Sequence, residues 1–235
     1  MKTCCPVIEL RQYRLHPGAR DTLVRIFDEH FVEGQERCGM RIIGQFRDLD
    51  DPDRFVWLRG FADTESRTRA LEAFYGGPVW KEHAAAANAT MIDHTDVLLL
   101  KPVAGTAGFW FDPRLRPDNR DSPSVAGGVV VATIEHLDGP ASPDIAPGPD
   151  DASGAEVLAR LVTETARNGY LRLPVREDAN VRVTFRSYVD APALQASPIP
   201  SPGSHRREVL RLQPTPRSFL RHGISSPLPT AERAG

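Results

Sequence analysis

The sequence predicts an α+β protein of two tandem ferredoxin-like modules packed sheet to sheet, and three observations predict it. Roughly the first hundred residues read in the order β-α-β-β-α-β, the split βαβ arrangement. After a Gly-, Pro- and Asp-rich stretch the same order returns in weaker form. A sheet of this kind also has one helix-covered face and one bare apolar face, which must be buried against another layer. A second copy in the same chain would supply that layer, and 235 residues suffice for two domains of about 100.

Taking the elements in order, Val7 to Tyr13 is β-branched at its start and partly alternating, as a strand is. His16-Pro17-Gly18 turns the chain. Leu23, Ile26, Phe27, His30 and Phe31 then mark one stripe of a helix running from Arg20 to about Arg37, which Gly39 stops. Arg41 to Arg47 and Phe55 to Phe61 form a hairpin across the turn-building run Asp48 to Asp53. A helix capped by Asp63 or Thr64 reaches about Phe74, Gly76-Gly77-Pro78 breaks it, and a further helical stretch covers Val79 to Met91. Asp96 to Lys101 closes the unit as a strand.

The module thus spans residues 1–103, and residues 104–124 read as a linker. In the second module, residues 125–215, Val129 to Leu137 is a strand, Ala155 to Arg167 a helix, and Tyr170 to Val175 and Asn180 to Tyr188 are strands. Ala191 to Ala196 is the remnant of a second helix, and Arg207 to Gln213 is the last strand. From Pro214 on, and over residues 216–235, Pro, Ser and Arg predict a disordered tail. Four matches support an internal repeat. Leu23 to Glu29 matches Leu158 to Glu164, and Arg37-Cys38-Gly39 matches Arg167-Asn168-Gly169. Leu58 to Asp63 matches Phe185 to Asp190, and Asp96 to Pro102 matches Glu208 to Pro214.

A net charge of -2 offers no field to attract nucleic acid or an anionic membrane, and no stretch approaches the apolar length of a membrane helix. The sequence starts without an apolar segment of signal-peptide length, so a soluble cytoplasmic protein is expected. Cys4, Cys5 and Cys38 are odd in number and form no CxxC, so reduced thiols are expected. There is no P-loop, no GxGxxG and no GxSxG, which argues against nucleotide-dependent and serine-hydrolase chemistry. Nor does any histidine spacing fit zinc, so neither metal nor cofactor is assigned.

Residues 7 to 102 resemble a NIPSNAP domain. The likeness rests on Glu9-Leu10-Arg11-x-Tyr13, on Pro17-Gly18, and on Phe55-Val56-Trp57-Leu58-Arg59-Gly60-Phe61 ahead of a capped helix. It implies the dimeric α/β-barrel superfamily, which also holds cofactor-free antibiotic-biosynthesis monooxygenases, haem-degrading enzymes and small-molecule cyclases. Here the barrel would form within one chain. NIPSNAP domains mostly lack an established chemistry, and fold kinship does not transfer a reaction.

Strand parity divides the candidate residues by face. Val56, Leu58 and Gly60 are expected to face the helices, as are Ile8, Leu10, Val181, Val183 and Phe185. The opposite faces would then gather Glu9, Arg11, Tyr13, Trp57, Arg59, Phe61, Arg182, Arg186, Tyr188 and Glu135 in a cavity between the two sheets. Two explanations stand for such buried charges. Glu9 and Glu135 could neutralise the arginines and hold the barrel closed. Alternatively, an arginine such as Arg59 or Arg186 could bind an anionic or phenolic ligand stacked on Trp57. His30 reads as a packed or rim histidine, whereas His83 or His94 could supply a general base or a haem ligand.

The leading expectation is a small-molecule-binding barrel for an aromatic or hydrophobic compound, anionic or uncharged, with monooxygenase-like or cyclase-like chemistry as its activity if it is an enzyme. A non-catalytic scaffold and a haem-binding enzyme are the alternatives. No nucleic-acid or membrane partner is expected, and pairing of the pseudo-dimers is left open.

Overall fold

The computed structural model describes residues 4–104, 108–118, 128–140, 155–196, 206–221 and 223. Its eight strands are β1 (Val7–Leu15), β2 (Arg41–Asp48), β3 (Arg54–Phe61), β4 (Met91–Pro102), β5 (Val129–His136), β6 (Glu156–Thr163), β7 (Val181–Tyr188) and β8 (Arg207–Pro214). They close into an antiparallel barrel in the order β1-β3-β2-β8-β5-β7-β6-β4. The first half contributes β4-β1-β3-β2 and the second β8-β5-β7-β6, so each half sets its fourth, first, third and second strand side by side. Inside the halves the ladders are long, with eight Cα pairs between β1 and β3 and eight between β5 and β7. The seams are short: β2 meets β8 over three pairs from Phe46–Pro214 to Asp48–Leu212, and β4 meets β6 over three from Leu100–Thr163 to Pro102–Leu161.

Helices α1 (Arg20–Ile26), α2 (Val32–Arg37), α3 (Thr64–Gly76) and α4 (Pro78–Asn88) belong to the first half, with a π-helical turn at Phe27–Phe31 joining α1 to α2. They lie on the outer face of its strands, where Leu23, Phe27, Phe31, Leu71 and Phe74 bury with Tyr13, Trp57, Phe61 and Leu99. The second half carries α5 (Ala191–Ala196) as its one helix among the described residues. No helix among them is long and apolar enough to cross a membrane.

The barrel interior is a packed apolar core. Ile8, Leu10, Val56, Leu58, Leu98 and Leu100 of the first half meet Val130, Ala132, Ile134, Leu161, Val183, Phe185 and Leu212 of the second. Gly60 points into it where a Cβ would lie 2.4 Å from the Cys5 sulfur, so glycine is what lets Cys5 pack at zero exposure.

This arrangement inverts the expected strand parity. Ile8, Leu10, Val56, Leu58, Val181, Val183 and Phe185 fill the interior, while Glu9, Arg11, Tyr13, Trp57, Arg59 and Phe61 lie beneath the helices on the outside. The expected cavity between the sheets is therefore occupied by side chains. The reason is that β1 and β3 are buried on both faces, so burial does not mark which face looks inward.

Further corrections follow in the second half. Residues 156–163 form strand β6 rather than a helix, because closing the barrel requires a strand between β7 and β4; Ala159 and Leu161 point inward while Leu158 and Arg160 are half-buried. The two repeat matches that equated this segment and its end with the first helix therefore fail, while the matches of β3 with β7 and β4 with β8 fall on equivalent strands. Residues 170–175 form turns rather than a strand. Cys4 and Cys5 are joined in a disulfide instead of standing reduced. The supposed tail begins with buried structure: Phe219 packs on Trp110 and Phe111, the Gln45 amide donates to Ser218 Oγ, and the Leu220 amide donates to the Ile43 carbonyl. Nor is Phe109 a bare linker residue, since it is buried against Phe185 at 5.2 Å between ring centres. The remainder of the expected tail, residues 222 and 224–235, lies outside the described residues.

Candidate functional site

The antiparallel register of β1 and β3 sets Glu9 opposite Arg59, Arg11 opposite Trp57 and Tyr13 opposite Phe55, all on the helix-covered face. Arg67 joins them from α3. The Asp63–Ser66 capping box fixes the first turn of that helix, and Arg67 heads a buried stripe with Ala70, Leu71 and Phe74. Gln35 enters from α2, and Asn168 from the segment between β6 and β7.

One carboxylate serves three guanidiniums. Glu9 Oε2 accepts from Arg11 Nη1 at 2.7 Å and from Arg59 Nε at 2.8 Å, while Oε1 accepts from Arg67 Nε at 2.6 Å. Arg59 Nη1 also donates to Gln35 Oε1 at 3.0 Å, and Arg67 Nη1 to Asn168 Oδ1 at 2.9 Å. All four charged side chains are buried. Burial by itself would raise the Glu9 carboxyl, but Arg59, Arg11 and Arg67 outweigh it and hold the group well below the usual carboxylate range. Arg11 is pushed above the ordinary arginine range despite its desolvation. The Nη2 atoms of Arg11, Arg59 and Arg67 nonetheless have no hydrogen-bond partner among the described residues. Aromatic faces compensate in part, with the Arg59 guanidinium 5.0 Å from the Trp57 ring centre and that of Arg11 5.5 Å from both Tyr13 and Trp57.

Beside this cluster opens a pocket of about 400 Å³. Tyr13, Tyr75, Trp80 and Tyr170 wall it with rings, Met91 and Leu173 add apolar surface, and Asn88, His94 and Arg172 supply polar groups. Tyr75 packs edge-on to Trp80 at 4.8 Å and stacks on Tyr170 at 6.1 Å; His94 stands edge-on to Tyr13 at 6.1 Å. Pocket and cluster are linked through two hydroxyls. Arg11 Nε donates to Tyr13 Oη at 3.0 Å, and Arg59 Nη1 to Tyr75 Oη at 3.4 Å. Burial raises the Tyr13 phenol above its ordinary value even though Arg11 opposes it, so Tyr13 stays protonated at neutral pH.

The structure brings Glu9, Arg11, Tyr13, Trp57, Arg59 and Phe61 together as one unit, but under the helices. It does not bring Arg182, Arg186 and Tyr188 to them. Arg182 and Arg186 share the outer face of β7, opposite the inward Val183 and Phe185. Arg182 and Arg207 both bind Glu135, at 2.6 and 2.7 Å, and Tyr188 belongs to a small cluster with Val131 and Leu194. Of the two candidate histidines, His94 lines the pocket, whereas His83 stacks on His30 at 3.7 Å beside a separate surface hollow. Sequence reasoning missed Arg67, Gln35, Tyr75, Asn168, Tyr170 and Arg172. A signal existed for Arg67 and Gln35, since each is a polar residue standing among the buried positions of its helix.

Among known proteins, residues 8–105 match the NIPSNAP family model. No curated protein matches the chain. A NIPSNAP-like domain protein from Burkholderia xenovorans is 22% identical over 46% of this chain and 96% of its own, with a TM-score of 0.41. Two structures align over nearly the whole length. A monooxygenase candidate from Lactobacillus acidophilus is 11% identical over 90% of this chain and 94% of its own, with a TM-score of 0.52. Another, from Fusobacterium nucleatum, is 9% identical over 92% and 94%, with a TM-score of 0.50. At such identities the likeness is one of fold. The NIPSNAP likeness is therefore confined to residues 8–105, under half of the chain, and the Glu9 cluster lies within that matched stretch.

Proposed function

We propose that the chain binds a small aromatic or hydrophobic molecule in the pocket between α3, α4 and the strands β1 and β4, capped by residues 170–173. The observation that carries this reading is the concentration of four aromatic rings around a volume of about 400 Å³, with a few convergent polar groups among them. Such a composition favours a planar ligand stacked between rings and oriented by Asn88, His94 and the tyrosine hydroxyls. Ligand-observed NMR with an aromatic fragment library, paired with quenching of Trp80 fluorescence, tests it. Saturable binding that Asn88→Trp abolishes by filling the pocket is expected; no binding, or binding indifferent to that substitution, refutes it.

Cofactor-free, monooxygenase-like turnover is the activity to assay, in which the ligand gives up two hydrogens, one atom of dioxygen enters it and the other leaves as water. His94 on the pocket wall favours it as a base for an acidic ligand proton, and the two long structural matches are monooxygenase candidates. Dioxygen uptake that His94→Gln removes even at saturating ligand is the expected signature, and no uptake by the parent protein refutes it.

The same reading treats the two halves as diverged copies of one module, joined so that one chain supplies what a pair would otherwise supply. The identical strand order of the halves and the reciprocal seams, second strand to fourth on both sides, support it. The module boundaries at residues 103 and 125 belong to this proposal.

A further inference from the structure

Three guanidiniums around one carboxylate leave a formal excess of two positive charges in a site closed to solvent. Burial of an uncompensated charge is costly, and the other groups among the described residues that bond these guanidiniums carry no formal charge: Gln35, Met40, Asn168, Tyr13 and Tyr75. Among the described residues no second carboxylate is bonded to any of the three arginines. One terminal nitrogen of each guanidinium also stays without a partner among the described residues. Such an arrangement is costly for stability alone, because a closed apolar packing would serve the fold better.

The excess charge has a route to the pocket. Tyr13 and Tyr75 each accept a hydrogen bond from a buried arginine, and each forms part of the pocket wall. A phenol oxygen that accepts from a cation becomes a stronger O–H donor. The two hydroxyls therefore form a pair of polarised donors, backed by a fixed positive potential, on the inner wall of an aromatic slot.

We infer that the ligand of this pocket carries one anionic oxygen group, a carboxylate or an ionised phenol or enol, and that this group docks on the hydroxyls of Tyr13 and Tyr75. The inference rests on the proposed pocket and adds the chemical class of the ligand. Arg172 at the mouth of the pocket is an exposed cation. It draws anions in, but salt screens it, whereas the buried pair is screened far less.

The test compares charged and neutral isosteres: 1-naphthoate against 1-naphthamide, titrated calorimetrically into the full chain at neutral pH and at raised ionic strength. The carboxylate should bind at least about tenfold more tightly than the amide, the equivalent of about 1.4 kcal/mol, and the preference should persist in salt. Tyr13→Phe combined with Tyr75→Phe should bring the two ligands within about threefold, while Arg172→Gln keeps the preference. The Phe variants lose only hydroxyl groups, and near-unchanged thermal midpoints would show that they fold. Equal affinity for the two isosteres in the parent protein overturns the anion inference while leaving the pocket reading intact. Saturable binding of neither overturns the pocket reading. A preference that survives the double Phe variant, or that disappears with Arg172→Gln or with salt, places the anion at the mouth and overturns the inference.

Discussion

Among the described residues Glu9 is the only carboxylate bonded to Arg11, Arg59 and Arg67, so its loss strands three buried cations at once. Glu9→Gln should cost about 3–5 kcal/mol of stability, read from urea midpoints at neutral pH. The pH dependence has a defined sign. Because the folded carboxyl lies below its ordinary value of 4.5, its contribution is present above that pH and is lost as the solution becomes more acid. The parent should weaken below about pH 4.5 more steeply than Glu9→Gln does. Asp28 behaves oppositely. Burial pushes its carboxyl up to about 6, against the partial opposition of Arg217, so the folded state prefers the protonated form. Stability therefore falls as pH rises from about 4 to 6. Asp28→Asn keeps an acceptor for Gln45 Nε2 and Thr215 Oγ1 while removing the charge, and should stabilise the protein above pH 6 by about 1–3 kcal/mol.

At the scale of elements, α3 shows how a surface feature governs a buried one. Its capping box satisfies the amides of the first turn, and Arg67 sits at the end of that turn with its guanidinium on Glu9. Asp63→Ala should lower the thermal midpoint and speed amide exchange at Arg67, with a smaller effect at Phe74. The elements of the first half were legible because amphipathic periods, caps and Gly-Pro breaks agree with one another there. Even so, β4 begins at Met91, five residues before the expected Asp96, because pairing with β1 extends it. Residues 156–163 were not legible: Val157, Leu158, Leu161 and Val162 fit a helical stripe as well as a strand, and only the neighbours β4 and β7 decide between them. Glu9, Arg11 and Arg59 could be read from alternation along β1 and β3, whereas Arg67 on α3 was missed. Which side they face could not, since both sides of those strands are covered and the bulkier, charged set is the one the helices enclose. Tyr170 and Asn168 reach the site through the fold of the second half, and nothing local to their sequence announces it.

The whole molecule is a barrel whose interior is shared by both halves and whose two seams are short. A common interior predicts one cooperative unfolding transition by circular dichroism and by tryptophan fluorescence, rather than separate transitions for residues 1–103 and 125–215. Beneath that transition, amides at the β2–β8 and β4–β6 seams should exchange faster than those between β1 and β3, where eight pairs rather than three hold the strands.

Because all eight strands come from a single polypeptide, no position in the barrel is duplicated by a symmetry operator. In a two-fold assembly every substitution is made twice, and a change that suits one flank must be tolerated on the other. Here the flank under α1 to α4 and the flank beyond β5 and β7 are built from different residues, and only the former holds the Glu9 cluster among the described residues. A saturating titration should accordingly end at one equivalent per chain, with a simple hyperbolic isotherm.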